Sequence, residues 1–103
     1  FDTSNVTTML QMFYKTQATT LDLSNFNTSK VTNMSGMFYM PKLTTIYASN
    51  KFVTTNVTND SSMFANCYYL VGGNGTKYNS SYVDKTYARV DGGTSSPGYF
   101  TSK

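Results

Sequence analysis

The chain has 103 residues, with eight Lys and Arg residues against five Asp residues, and its net charge of +3 is too small for a polybasic nucleic-acid-binding tail. It contains no His, no Glu and a single Cys, so most sets of catalytic residues are missing. No apolar run approaches the roughly 18 residues that a membrane-spanning helix needs. Ser, Thr and Asn occupy 39 of the 103 positions, which indicates a hydroxyl- and amide-rich surface around at most one domain.

Two consecutive segments of the chain are closely similar in sequence. Residues 1–25 and 26–50 carry the same residue at 13 positions when one segment is shifted by 25 onto the other. A third copy begins at Phe52 and fades after residue 71. The sequence therefore predicts two and a half repeats over residues 1–71, namely 1–25, 26–51 and 52–71, followed by a different segment over 72–103.

The first half of each repeat has the apolar spacing of a short helix. Thr28 and Ser29 can cap such a helix, and Pro41 can end it. We expect roughly nine to eleven helical residues per repeat, and the alternative is extended chain in a parallel β-helix. The apolar residues fall at i, i+3, i+6 and i+7 in the first two repeats, at Val6, Met9, Met12 and Phe13 and at Val31, Met34, Met37 and Phe38.

The second half of each repeat alternates apolar and polar residues, as in Leu21 and Leu23 or Ile46 and Ala48. This alternation is typical of a short strand with one buried face. A strand and a helix of this size bury their apolar faces only when neighbouring repeats stack. The predicted fold is therefore an α/β repeat solenoid, with a parallel strand ladder on one side and a row of helices on the other. Its core would hold the Met residues and a stacked column of Phe1, Phe26 and Phe52.

Residues 72–103 are rich in Gly and Tyr, which predicts a C-terminal cap over the last repeat. We expect a short strand from Thr86 to Val90, a turn at residues 91–93 and a returning segment at Tyr99 and Phe100. This cap would cover the edge of the strand ladder and prevent it from pairing with other chains.

The N-terminal end of the array has no such cover. Phe1 stands within the repeat pattern, so we expect further repeats before it in a longer protein. The uncovered end would be an apolar patch that supports end-to-end self-association. Its expected members are Phe1, Val6, Met9 and Phe13.

The repeats also resemble a known bacterial sequence. The strings FDTSNVTTMLQMFY, LDLSNFNTSKVTNMSGMFY and TYARVDGGTSSPGYF are similar to the BspA-like bacterial surface protein repeat of about 26 residues, a relative of the leucine-rich repeat. The resemblance implies leucine-rich-repeat-like coils, here the C-terminal end of an array with its cap. It also implies a secreted or cell-wall protein that acts as a non-enzymatic adhesin outside a bacterial cell. That family often has a Cys shortly after the Met-Phe pair, and only Cys67 keeps it here.

The polar residues predict no catalytic, cofactor or metal site. Catalysis needs a positioned acid or base, and the five Asp residues are scattered along the chain. Asp22, Asp84 and Asp91 stand in sequences typical of turn caps and not of a cation-binding loop. The thiol of Cys67 has no His partner, which favours a small buried hydrophobe beside Phe64. We therefore expect no enzyme activity, cofactor or metal.

Two binding functions remain. In the preferred function, the chain is an adhesion or spacer module whose outward strand residues bind a host or neighbouring-cell protein. The candidate residues for this contact are Thr20, Asp22, Ser24, Thr45, Tyr47 and Ser49. In the alternative, a carbohydrate-binding surface module, Tyr residues of the cap and strand face stack on sugar rings. The candidates for stacking are Tyr78 and Tyr82. Single-stranded nucleic acid is not expected, because no basic groove accompanies the aromatic residues.

Overall fold

Three short parallel strands form one sheet in the computed structural model, which describes residues 2–103. They are β1 (Thr20–Leu23), β2 (Thr45–Ala48) and β3 (Phe100–Ser102), and β2 lies in the middle. The first repeat supplies β1, the second supplies β2, and the C-terminal segment supplies β3. Two short 3₁₀ helices, Lys85–Tyr87 and Gly93–Ser95, also lie in the C-terminal segment.

The two strands predicted within the repeats are confirmed, and their alternation decides which face is buried. Leu23, Ile46 and Ala48 are buried in the core, whereas Thr20 and Asp22 are exposed. Each residue of β1 lies opposite the residue 25 positions later in β2. The spacing of the repeat therefore sets the register of the sheet.

The predicted helices are wrong. The described residues contain no α-helix, and the first halves of the repeats form turns and isolated bridges over residues 6–13, 31–38 and 57–64. The prediction of an α/β repeat solenoid, with leucine-rich-repeat-like coils that each carry a strand and a helix, is therefore wrong as well. The molecule is a small globule built around a three-stranded parallel sheet.

Hydrogen bonds between repeats take the place of helical ones. The N–H of Met9 donates to the carbonyl of Asn33 at 2.8 Å, and the N–H of Gln11 donates to the carbonyl of Ser35 at 2.9 Å. Gln11 has a φ of 52°, in the left-handed region that a right-handed helix does not contain. Apolar residues still recur every three positions because each turn closes over three residues, as from Met12 N to Met9 O. The i, i+3 spacing therefore does not distinguish these turns from a helix.

Buried Thr hydroxyls also connect the repeats, so the prediction that Thr28 caps a helix is wrong. Thr28 Oγ1 donates to Val53 O at 2.6 Å and accepts from Val53 N at 2.7 Å. Thr3 makes the same pair of bonds with Asn27, at 3.1 and 2.8 Å. Both Thr residues are 1% exposed, and each hydroxyl is satisfied in both directions.

A column of Phe rings runs through the core at the spacing of the repeat. Phe38 stacks on Phe13 with ring centroids 6.0 Å apart and on Phe64 with centroids 5.1 Å apart. Met34 and Met37 are fully buried, as predicted. Equivalent side chains of neighbouring repeats therefore pack on one another, although no helix carries them.

A second Phe column was expected from Phe1, Phe26 and Phe52. Phe1 lies outside the described residues. Phe26 and Phe52 are both buried. Phe52 packs edge-on against Phe100 of β3, with ring centroids 4.8 Å apart. This contact connects the third repeat to the C-terminal segment.

The C-terminal segment completes the sheet. Phe100 in β3 lies opposite Ile46 in β2, so β3 covers the edge of β2 that β1 leaves open. The predicted strand from Thr86 to Val90 is wrong, because residues 85–87 form a 3₁₀ helix that the side chain of Asp84 caps. Val90 contributes a single parallel bridge to Phe100.

Asp60 connects the third repeat to the C-terminal segment by a polar contact. It stands where the second repeat has the buried Met34, so a carboxylate replaces an apolar core side chain. Its Oδ2 accepts from Lys85 N at 3.0 Å, and Lys85 Nζ donates to Val57 O at 2.8 Å. The half-buried carboxylate therefore has a backbone partner from the cap.

The apolar patch at the N-terminal end has different members from those predicted. Met9 is buried, Val6 and Phe13 are half-buried, and Phe1 lies outside the described residues. The exposed side chains are Leu10, Met12 and Tyr14, here called the N-terminal patch, with exposed fractions of 51, 41 and 42%. Met37, the counterpart of Met12, is 0% exposed beneath the first repeat, whereas Met12 lies at the end of the described stack and is 41% exposed.

Phe38→Leu tests the importance of the Phe column. Phe38 is fully buried and contacts rings on both sides, so we expect the free energy of unfolding to fall by about 1–2 kcal/mol. Urea denaturation followed by circular dichroism measures this loss. The control is Phe13→Leu at the half-buried end of the column, and an equal loss in both variants would contradict the central role of Phe38.

Candidate functional site

The outward residues of the sheet form a polar surface, here called the strand face. It consists of four predicted residues, Thr20, Asp22, Thr45 and Tyr47, and of Thr101 in β3. Asp22, Tyr47 and Thr101 lie side by side in one row across the three strands. Parallel pairing in register thus brings together residues from three separate parts of the chain.

Lys103 lies across this row and was missed by the sequence reasoning. Its Nζ is 2.7 Å from Asp22 Oδ2 and 5.2 Å from the centroid of the Tyr47 ring. This hydrogen bond, together with one from Ser24 N at 3.0 Å, holds the pKa of Asp22 well below its usual range. Because Lys103 and Asp22 are 81 residues apart, no local pattern indicates the pair.

The two predicted serines lie beyond the strand ends and have a different role. Ser24 donates its backbone N–H to Asp22, and Ser49 Oγ accepts from Lys51 N at 3.2 Å. Both residues are half-buried in the turns that follow β1 and β2. They therefore shape the turns beside the strand face and add little surface to it.

Tyr78 and Tyr82 belong to one aromatic cluster but do not contact each other directly. Tyr78 stacks on Tyr99 with centroids 6.2 Å apart, and Tyr82 stacks on Tyr87 at 4.5 Å. Tyr99 is fully buried between them, and burial raises its pKa to about 12. Each predicted ring has one face stacked on another Tyr of the cap, so the role of Tyr78 and Tyr82 in stacking on a sugar stays a prediction.

Asp91 ties two loops of the cap together. It is 4% exposed, and its Oδ2 accepts from Asn74 N at 2.9 Å and from Thr76 N at 3.0 Å. Its Oδ1 accepts from Thr76 Oγ1 at 2.7 Å and from Gly93 N at 2.9 Å. Burial alone would raise the pKa of Asp91, but the hydrogen bonds from Thr76, Gly93 and Asn74 outweigh it and lower the pKa to about 2.

A small open cavity, here called the cap cleft, lies between the two loops that Asp91 joins. Its volume is about 240 Å³. Positions 74–77 form one wall, and Gly93, Thr94 and Pro97 form another. Asn79 and Tyr87 complete the lining. None of these residues belongs to the strand face, although Asn74 and Thr101 of the strand face line a neighbouring cavity together.

The carboxylates of Asp22, Asp84 and Asp91 cap turns, as the sequence predicted. Each accepts a hydrogen bond from the backbone N–H two residues later, at 2.9 to 3.0 Å. Within the described residues, no group of three or more Cys or Asp residues is placed to hold a metal ion. The three carboxylates therefore act as hydrogen-bond acceptors within their own turns.

Cys67 is fully buried, which confirms the predicted small hydrophobe. Its Sγ donates to the carbonyl of Phe38, and burial raises the thiol pKa to about 11. At neutral pH the sulfur is therefore a thiol and not a nucleophilic thiolate. Across residues 2–103, no helix is long and apolar enough to cross a membrane.

One protein family matches this chain, and the match covers residues 1–96. Its description reads "Mycoplasma protein of unknown function, DUF285". The chain belongs to this DUF285 family. The description mentions neither BspA-like nor leucine-rich repeats, so that resemblance stays a prediction. No curated protein and no solved structure matches the chain.

Asp91→Asn tests the buried carboxylate. The folded-state pKa lies below the usual value of 3.8, so the ionised carboxylate stabilises the fold above about pH 4, and this contribution is lost as the pH falls towards 2. We expect the variant to lose about 2–3 kcal/mol at pH 6, and the difference from wild type to shrink between pH 4 and 2. Urea denaturation at each pH measures the difference.

The matched control for this prediction is Asp84→Asn, because Asp84 also caps a turn but is exposed. It should show a smaller loss at pH 6. A pH-independent difference between wild type and Asp91→Asn would contradict the assigned role of the charge.

Proposed function

We propose that this chain is a non-enzymatic adhesion or spacer module of a bacterial cell surface, and that it binds an extracellular protein through the strand face. The observation that carries the proposal is the ordered row of Asp22, Tyr47 and Thr101 with Lys103 across it. Tyr is enriched at protein interfaces because its ring offers apolar contact area and its hydroxyl a hydrogen bond. The surface location rests on the resemblance to the BspA-like repeat.

The charge pair on the strand face favours a polar protein partner. Asp22 and Lys103 are about half exposed, so each retains surface on which a partner can place an opposite charge. Exposed ion pairs of this kind contribute little stability, and their larger effect is on the orientation and specificity of binding. Tyr47, half-buried between them, would be the central contact of the interface.

A non-enzymatic role is supported by the state of the chemically active groups. The carboxylates of Asp2, Asp22, Asp84 and Asp91 each accept from a backbone N–H of their own turn, and Asp60 accepts from the cap. The single thiol is buried and protonated. The turn hydrogen bonds of the carboxylates and the burial of the thiol give these groups structural roles, which favours a non-enzymatic chain.

The double variant Asp22→Asn, Tyr47→Ala tests the strand face. In a screen against immobilised extracellular-matrix proteins, we expect it to reduce the affinity for any bound protein by at least about tenfold. Tyr82→Ala, in the aromatic cluster of the cap, is the matched control and should leave that binding unchanged. Equal binding by wild type and both variants would contradict the proposal and leave the chain as a spacer alone.

We also propose that a second copy of the chain covers the N-terminal patch. Leu10, Met12 and Tyr14 lie where the second repeat is covered by the first, and β1 beside them is an edge strand. An exposed apolar patch next to an open strand edge favours pairing with the same edge of another molecule. The two copies would meet through their N-terminal ends, because the cap covers the other end of the sheet.

Met12→Lys tests this self-association. We expect wild type to form dimers with rising concentration and Met12→Lys to remain monomeric, because a charge would be buried at the interface. Sedimentation velocity at several concentrations distinguishes the two. Tyr69→Lys is the control, since Tyr69 is 67% exposed outside the patch and its replacement should leave dimers intact. A monomeric wild type at millimolar concentration would contradict the proposal.

A further inference from the structure

The cap cleft has walls that are fixed before any ligand arrives. The loop at residues 74–77 and the loop at residues 93–97 meet at the carboxylate of Asp91, which accepts from Asn74 N, Thr76 N and Gly93 N. Asn74 Nδ2 returns a hydrogen bond to Asp91 O at 2.8 Å. Because these bonds are buried or half-buried, they hold both loops in place. A ligand therefore does not have to order the cleft when it binds.

Polar groups without a protein partner surround the cleft. Among the described residues, the Lys77 ammonium, Asn79 Nδ2 and Thr94 Oγ1 make no hydrogen bond to protein, and Asn74 Oδ1 likewise accepts none. Together they offer an ammonium, an amide donor, an amide acceptor and a hydroxyl. Such a mixture suits a ligand that has several hydroxyl groups.

Apolar surface lies beside these polar groups. Tyr87 lines the cleft, and its ring is contacted by the parallel ring of Tyr82 at 4.5 Å and by the Arg89 guanidinium, 5.9 Å from the ring centroid. Pro97 lines the cleft as well, and its carbonyl accepts from Arg89 Nε at 2.7 Å. A ring with one apolar side and several hydroxyls, as in a sugar, matches this combination of surfaces.

The charge around the cleft is positive. Lys77 lies in its lining, and Arg89 reaches its rim through the contact with Pro97. The carboxylate of Asp91, which joins the two loops, is buried, and its two oxygens already accept hydrogen bonds. A ligand that carries a carboxylate can therefore pair with the exposed ammonium of Lys77.

We propose that the cap cleft binds a single acidic sugar residue of a surface glycan, with the sugar carboxylate at Lys77 and its hydroxyls at Asn74 and Asn79. The volume of about 240 Å³ is below the roughly 300–1,000 Å³ of pockets for drug-sized ligands, and it suits one sugar ring. Neither Tyr78 nor Tyr82, the rings predicted to stack on a sugar, lines this site. It shares no residue with the strand face and does not depend on the proposed protein-binding function.

The experiment is an NMR titration of the full chain with D-glucuronic acid and with D-glucose, two sugars that differ by the carboxylate. We expect shifts at the amides of residues 74–79 and 93–94 and a several-fold higher affinity for glucuronate. Lys77→Gln should lower the glucuronate affinity by about fivefold and leave the weak glucose binding unchanged. Lys42→Gln, at an exposed lysine outside the cleft, should change neither.

Acetate at the same concentrations separates a sugar site from a simple anion site. If acetate shifts the same amides as strongly as glucuronate, or if Lys77→Gln binds glucuronate as wild type does, the proposal is overturned. Equal affinity for the two sugars in wild type would also overturn it. The Asp22→Asn, Tyr47→Ala variant should retain glucuronate binding, so this result and the test of the strand face remain independent.

Discussion

Backbone hydrogen bonds from one repeat to the next are the interaction on which the structure depends. Each repeat is too short to form a stable helix or an independent sheet, so its N–H and carbonyl groups find partners about 25 residues away. The buried hydroxyls of Thr3 and Thr28 follow the same spacing. This regular pairing stacks Phe13, Phe38 and Phe64, and it also aligns Asp22 with Tyr47 on the surface.

The repeat spacing and the strands were predictable, whereas the conformation between the strands was not. Internal identity at a shift of 25 indicates which residues become neighbours, and the alternation around Leu23 and Ile46 indicates β1 and β2. The spacing of Met9 and Met12 fits both a helix and a series of three-residue turns. The left-handed φ of Gln11 and of its counterparts Gly36 and Ser62, and the bonds to the next repeat, separate the two. Gly36, in the middle of the predicted helix, is a sequence signal for this backbone that the apolar spacing outweighed.

The candidate sites, like the fold, were predictable from the sequence only in part. Thr20, Asp22, Thr45 and Tyr47 were predictable because strand alternation places them outward in register. Lys103 and the cleft lining were not, because they depend on where the Gly-rich cap folds back against the repeats. A clue existed in Asp91, because the two glycines that follow it indicate a turn, but its partners Asn74 and Thr76 lie 17 and 15 residues away. Contacts at such distances follow no local periodicity.

The position of β3 has a consequence for how the protein is made. Phe100 lies opposite Ile46, so the middle strand gains its second neighbour only after the chain has been synthesised to residue 102. A nascent chain that has left the ribosome as far as the third repeat carries β2 with one side unpaired and Phe52 without its contact to Phe100. Folding therefore requires slow closure of a long loop, and during translation this side is open to aggregation.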